Sequence, residues 1–233
     1  MSQVDKKALK AQILTAVDEK QDQLLKLCSD LIKINTENPP GNATEIATYI
    51  TDYLHSFDLD VTEYKAADDW TNLISAYGDP EGKKLIYCGH TDVVPAGDLN
   101  KWDFSPTSGE IKDGFLLGRG ASDMKAGVGG ILFAVTLLKD LGIELPGQVV
   151  LALVPDEETG SKYGVPWLLD NHYIKGDGCL IAEPSSEYNP TIGQKGSYWF
   201  TLEVFGQPGH GSLSPIIGGN AIVDTIKAIE KIR

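Results

Sequence analysis

The chain has 233 residues, 42% of them hydrophobic, enough apolar material for one full core and part of a second when domains usually run to about 100–200 residues. Its 20 Lys+Arg against 33 Asp+Glu give a formal charge of -13, a field that repels phosphate backbones and anionic lipid, so nucleic-acid and membrane partners are disfavoured. The opening MSQVDKKALK is charged and lacks the continuous apolar stretch of an export signal or a membrane span, so a cytoplasmic location is expected. Cys28, Cys88 and Cys179 show no CxxC spacing and sit among apolar neighbours, which reads as reduced core thiols.

Leu9, Ile13, Val17, Leu24, Leu27, Leu31 and Ile34 recur at roughly helical spacing and predict one long or broken amphipathic helix, stopped by Asn38-Pro39-Pro40-Gly41. Thr44 to Phe57 repeats the helical pattern; Val61 to Tyr64 and Asn72 to Tyr77 read as strands, and after an Asp79-Pro80-Glu81-Gly82 turn Lys84 to Cys88 forms a short apolar run. Met124 to Leu141 is expected to be a buried helix rich in small residues. Strands are expected at Val149 to Val154 and Cys179 to Ala182, with a short helix near Pro166 to Asn171 between them. The alternation predicts an α/β fold: a mostly parallel sheet flanked by helices.

Polar residues punctuate the ends of these strands. Leu85 to Gly89 runs into His90-Thr91-Asp92, Val149 to Val154 into Asp156-Glu157-Glu158, and Cys179 to Ala182 into Glu183. In open α/β sheets the carboxyl ends of the strands converge on the ligand crevice, and Asp123, at a predicted helix start, can join them. Taken singly, His90 is an ordinary strand-end residue, Asp123 a helix cap and Glu183 a solvated carboxylate. Together they would repel one another unless a cation or a shared proton intervened, which points to a divalent metal.

The spacing fits that chemistry. In His90-Thr91-Asp92 the outer residues share one side of an extended segment, so Asp92 can accept the ring N–H that His90 does not use for metal. In Glu157-Glu158 neighbouring side chains diverge, so one can ligate while the other moves protons. HExxH, G-x-S-x-G and a Walker-type lysine are absent, and Gly118-x-Gly120-x-x-Asp123 ends in an acid that would repel a dinucleotide's pyrophosphate.

Five ordered segments carry a resemblance: Cys88-Gly89-His90-Thr91-Asp92-Val93-Val94-Pro95, Gly118-Arg119-Gly120-Ala121-Ser122-Asp123-Met124-Lys125, Asp156-Glu157-Glu158-Thr159-Gly160, Ala182-Glu183-Pro184 and Gly206-Gln207-Pro208-Gly209-His210-Gly211-Ser212. In these the chain resembles the two-zinc metallopeptidase family of acetylornithine deacetylase, succinyl-diaminopimelate desuccinylase, aminoacylase and carboxypeptidase G. The resemblance implies a catalytic domain holding two zinc ions, with cobalt or manganese as substitutes, and an inserted α+β lid and dimerisation domain, hence a homodimer. It makes Asp123 the bridging carboxylate, with His90 and Glu183 on one metal and Glu158 on the other. Glu157 becomes the general acid/base for cleaving the amide of an N-acyl amino acid or small peptide, and His210 the oxyanion stabiliser, usually from the partner subunit. It also implies a cis peptide after Asp123.

One departure stands out. The family's second metal takes a further histidine after the chain returns from the lid, and His55, His172 and His210 do not match that motif. The sequence stops at Arg233, so half a lid and the last strands of the catalytic domain are expected to be missing, with weak occupancy of the Glu158 site. Residues 1–192 are expected to form the N-terminal part of the catalytic domain. Residues 193–233 are expected to supply the lid's first strand, Ser197 to Phe205, and a helix, Ile217 to Ile232. Gly118-Arg119-Gly120-Ala121-Ser122-Asp123-Met124-Lys125 and Gly193-Gln194-Lys195-Gly196-Ser197 look closest to the desuccinylase and deacetylase branch. A dipeptidase or carboxypeptidase of the same family is the nearest alternative, and a shortened metal-binding or dimerising protein without turnover the other.

Overall fold

The computed structural model describes residues 3–186, 188–193, 195–196, 198–213 and 219–232. These divide into a unit spanning Met1–Ser185 and a smaller one spanning Ser186–Arg233. The first expected helix is indeed broken, into α1 (Gln3–Glu19) and α2 (Gln21–Lys33), around Lys20, whose ammonium pairs with Asp140. Then follow α3 (Thr44–His55), the hairpin β1 (Val61–Ala67) and β2 (Trp70–Gly78), and β3 (Lys84–His90). A small hairpin, β4 (Glu110–Lys112) and β5 (Phe115–Leu117), turns through Asp113-Gly114, both at positive φ, the geometry a two-residue loop of this kind requires. The unit closes with α4 (Lys125–Asp140), β6 (Gln148–Val154), α5 (Val165–Asp170) and β7 (Gly178–Ile181).

The main sheet is mixed, in the order β1-β2-β6-β3-β7. β3 pairs in parallel with β6 on one side and β7 on the other, while β2 joins β6 antiparallel and brings β1 with it. β6 is buried along both faces: Val149, Leu151 and Leu153 enter the larger core with Leu31, Ile50, Leu54 and Leu132, whereas Val150, Ala152 and Val154 enter a second core with Ile86, Cys88, Leu168 and Ile174. That two-sided burial is why Val149 to Val154 reads as an unbroken apolar run.

From β3 the chain crosses through α4, on the larger core's face, to β6; it then crosses through α5, on the opposite face, to β7. The crossover after β3 and the one after β6 run in opposite directions across the sheet and on opposite faces, so the adjacent carboxyl ends of β3 and β6 open onto a crevice between them. Close approach of α4 to this edge depends on Gly127, where a Cβ would lie 2.1 Å from the Ala182 carbonyl oxygen.

Two expectations change. Cys28 and Cys88 are buried, but Cys179 is exposed, because it lies on β7, the last strand of the sheet order. In the second unit, residues 198–205 carry no strand, since a strand exists only where its N–H and C=O groups meet a partner; Ser197, where that strand was to begin, lies outside the described residues. The expected helix is present as α6 (Ala221–Ile232), its anticipated start at Ile217 again outside the described residues. Among the described residues no helix is long and apolar enough to cross a membrane.

The core assignment has a direct test. Leu132 is 0% exposed and Leu99 64%. Leu132→Ala is expected to cost about 2–5 kcal/mol of unfolding free energy in urea titration, and Leu99→Ala to stay within about 0.5 kcal/mol of the parent.

Candidate metal centre

The sheet delivers its polar residues to one edge. His90 ends β3 in register with Val154, the last residue of β6, and the sheet's hydrogen bonding continues past both, with Thr91 N–H donating to Val154 O (2.8 Å) and Ala182 N–H to Cys88 O (3.0 Å). Asp92, Glu157, Glu158 and Glu183 therefore all leave strands at the same level, and Asp123 enters from the turn before α4. The Asp123–Met124 bond is cis, as the resemblance implied.

His90 is buried, and its Nε2 faces Asp123 Oδ1 at 3.0 Å and Glu183 Oε1 at 3.1 Å. Its Nδ1 lies 2.9 Å from the backbone oxygen of Asp92 and 3.4 Å from Asp92 Oδ1. The backbone carbonyl is thus the nearer acceptor for the ring N–H, a partner that the same-side argument from the sequence did not anticipate. Either contact holds Nδ1 as the donor and leaves Nε2 as the nitrogen turned to the carboxylates.

The Asp92 carboxylate is tied elsewhere: it accepts from the backbone N–H of Glu157 (3.0 and 3.2 Å) and of Glu158 (3.1 Å), and from the Asn38 amide (2.9 Å). Burial would raise its pKa, but these donors and His90 hold it below the usual carboxylate range.

Ligand atoms of His90, Asp123 and Glu158 lie within 4.8 Å of one another, and so do those of His90, Glu157 and Glu183. Glu183, at 3.1 Å from the His90 Nε2, is the nearer of the two carboxylates in the second group, with Glu157 behind it. Electrostatics record the crowding. Burial, together with the charges of Asp123, Asp92 and Glu157, raises the Glu158 pKa against the opposing pull of His90. Burial and repulsion from Asp123 and Glu157 push Glu183 up to about 7. Burial alone would lower His90, yet the hydrogen bond and charge of Asp92, with the charge of Glu183, lift it to about 9. Carboxylates drawn towards protonation around an imidazole drawn towards charge are the signature of a site deficient in positive charge. Four carboxylates and one imidazole nitrogen, of the hard and borderline donor types that zinc, cobalt and manganese share, fit a divalent metal.

His210 belongs to the smaller unit, where its Nδ1 meets Ser212 Oγ at 2.8 Å. Two residues beneath the centre escaped the sequence reading. Asn38 was taken only as part of a helix-stopping turn, and Lys125 only as one letter of a motif. Lys125 is in fact buried, its ammonium donating to Ile34 O at 2.6 Å and its pKa lowered by burial to about 7. The long-range contacts that reveal both leave no trace in local spacing.

Residues 86–228 match the model of peptidase family M20/M25/M40. The chain belongs to that family. Among its relatives, a succinyl-diaminopimelate desuccinylase of Ehrlichia chaffeensis is 41% identical over 88% of this chain and 55% of its own, and a probable succinyl-diaminopimelate desuccinylase of Staphylococcus epidermidis is 35% identical over 90% and 50%. The chain spans about half the length of the curated relatives it matches. The fold of human carnosine dipeptidase 1 overlays 73% of this M20/M25/M40 chain, and 40% of its own, with a TM-score of 0.64 at 22% identity.

Proton linkage checks the centre. A cation on His90 requires the neutral imidazole, so in a metal-free protein with His90 near 9 and Glu183 near 7, binding at pH 7 must expel the His90 proton and part of the Glu183 one. Apparent Zn²⁺ affinity is expected to rise with pH through that window and level off above the His90 value. Calorimetric titrations in buffers of different ionisation enthalpy measure the release; heats that do not depend on the buffer would contradict the assignment.

Proposed function

We propose that this chain carries the main catalytic residues of a metal-dependent amidohydrolase that removes the acyl group from an N-acyl amino acid, in the manner of succinyl-diaminopimelate desuccinylase or acetylornithine deacetylase, within amino-acid biosynthesis. The observation that carries the reading is the meeting of His90, Asp123, Glu157, Glu158 and Glu183 at the carboxyl edge of three parallel strands. The names of the relatives, at 35–41% identity, support the acyl-group chemistry.

In this reading His90, Asp123, Glu158 and Glu183 would hold the zinc, with cobalt or manganese as working substitutes. When bound, the metal supplies the positive charge that acidifies a water and polarises the amide carbonyl. Glu157, whose backbone N–H is anchored on Asp92, takes the proton of the attacking water at its carboxylate and passes it to the departing amine nitrogen. Asp92 and its backbone carbonyl keep the His90 tautomer fixed while this happens.

His210 donates to the developing oxyanion from the partner subunit of a cytoplasmic homodimer. The helix α6 supports a pairing role, since Ile222, Ile226 and Ile229 are exposed at helical spacing. Residues 1–192 then belong to the catalytic domain and 193–233 to the lid and dimerisation domain.

Hydrolysis of N-succinyl and N-acetyl diamino acids, measured beside simple dipeptides with bound metal counted by elemental analysis, tests the proposal. Glu157→Gln is expected to lower kcat by about 100- to 10,000-fold at unchanged metal content. Preferential cleavage of dipeptides would move the protein to the peptidase branch, and undiminished turnover by Glu157→Gln would remove the mechanism.

A further inference from the structure

The segment leaving α2 runs beside the β3 extension as a strap. Thr36 Oγ1 donates to Thr91 O (2.7 Å), Val93 N–H to Thr36 O (3.1 Å) and Asn38 N–H to Val93 O (2.8 Å). These bonds carry the Asn38 side chain, 3% exposed, under the metal centre. There its Nδ2 lies 2.9 Å from Asp92 Oδ2, 3.1 Å from Asp156 Oδ1 and 3.0 Å from Thr159 Oγ1. With two carboxylate oxygens facing it, the amide must present its NH₂. Thr159 adds its own hydroxyl to Asp156 Oδ1 (2.6 Å), and the Tyr163 N–H holds Oδ2 (3.0 Å).

Asp92 and Asp156 are both 2% exposed and leave different strands. The first sits against the His90 ring; the second immediately precedes Glu157 and Glu158. One neutral amide therefore ties the loop of the imidazole ligand to the loop of the proton-transferring carboxylates. An aspartate in its place would set a third buried acid against the other two, and a lysine would cancel the negative field that draws a cation. The amide satisfies both carboxylates and leaves that field intact.

We propose that Asn38 is a positioning residue for the reaction, cross-bracing Asp92 and Asp156 so that His90 and the Glu157-Glu158 pair keep a fixed separation. The proposal rests on the hydrolase reading, but its geometry can be followed without turnover. Removing the amide leaves two buried carboxylates short of donors and lets the two loops drift apart, which alters the ligand field and the reach of Glu157 more than the affinity for substrate.

The test compares the unaltered protein with Asn38→Ala and with Tyr77→Phe. The latter removes a hydrogen bond to Ile143 O at the opposite edge of the sheet and serves as a control for destabilisation alone. In Asn38→Ala, kcat is expected to fall about 10–100-fold with KM unchanged, and the visible absorption of the Co²⁺-loaded protein to change; Tyr77→Phe should leave both alone. Should Asn38→Ala not accumulate as folded protein, Asn38→Ser, which keeps one donor and the backbone bond to Val93, is read in the same way. A folded Asn38 variant with the parent's kcat and Co²⁺ spectrum overturns the proposal. If the unaltered protein hydrolyses no N-acyl amino acid, the hydrolase reading fails while the Co²⁺ spectra still decide whether Asn38 sets the geometry.

Discussion

Repulsion among carboxylates gathered at one sheet edge is the constraint on which the rest of the structure turns. Asp123, Glu157, Glu158 and Glu183 surround a single buried imidazole, and the shifts of Glu158, Glu183 and His90 all run in the direction that reduces negative charge. Asp92, only two residues from His90, shifts the opposite way. The difference lies in its partners: Asp92 is held by the His90 ring, the Asn38 amide and backbone N–H groups, whereas the outer carboxylates face one another. The centre thus has a buried acid whose charge the protein itself satisfies and an outer set that calls for a cation.

Strand register makes that crowding possible. With His90 opposite Val154 and Cys88 opposite Ile181, three strands end within a residue or two of the same level, and whatever follows them is forced together. The two crossovers lie on opposite faces, so neither α4 nor α5 covers the opening. Gly127 brings the first turn of α4 against the Ala182 carbonyl, one residue from Glu183, and Asp123 arrives from the same helix start. Backbone placement, set by apolar packing on both faces of β6, therefore comes before any ligand chemistry.

Much of this was legible along the chain. The apolar run of β6, the amphipathic repeat of α1 and α2 and the acidic or imidazole residue after each parallel strand are local patterns, and each marks its place in the fold. What escaped was non-local. The antiparallel β1–β2 hairpin at one side of the sheet looks like any other pair of strands until its partners are known. The exposure of Cys179 depends on its strand lying at the end of the sheet order, not on its apolar neighbours in sequence. Residues 198–205 have strand composition but no strand, since propensity without a partner leaves the backbone unpaired. Asn38 resembled punctuation before two prolines, because nothing within ten residues hints at Asp92 or Asp156.

A centre that stays open to solvent cannot fix its carboxylates by burying them. The side chain of Asp123 is 56% exposed and that of Glu183 34%, so little packing holds their carboxylates. Definition has to come from below, from groups that are buried and fully partnered: Asp92 on the N–H groups of Glu157 and Glu158, Asp156 on Thr159 and Tyr163, and the strap bonded to Thr91 and Val93. The division follows from the solvation of charge. The outer carboxylates keep their contact with water until a cation replaces it, while the inner ones are paid for in hydrogen bonds when the chain folds. Rigidity and accessibility are thereby assigned to different residues, and the centre can be open to solvent yet hold the separation between the His90 imidazole and the Glu157-Glu158 pair.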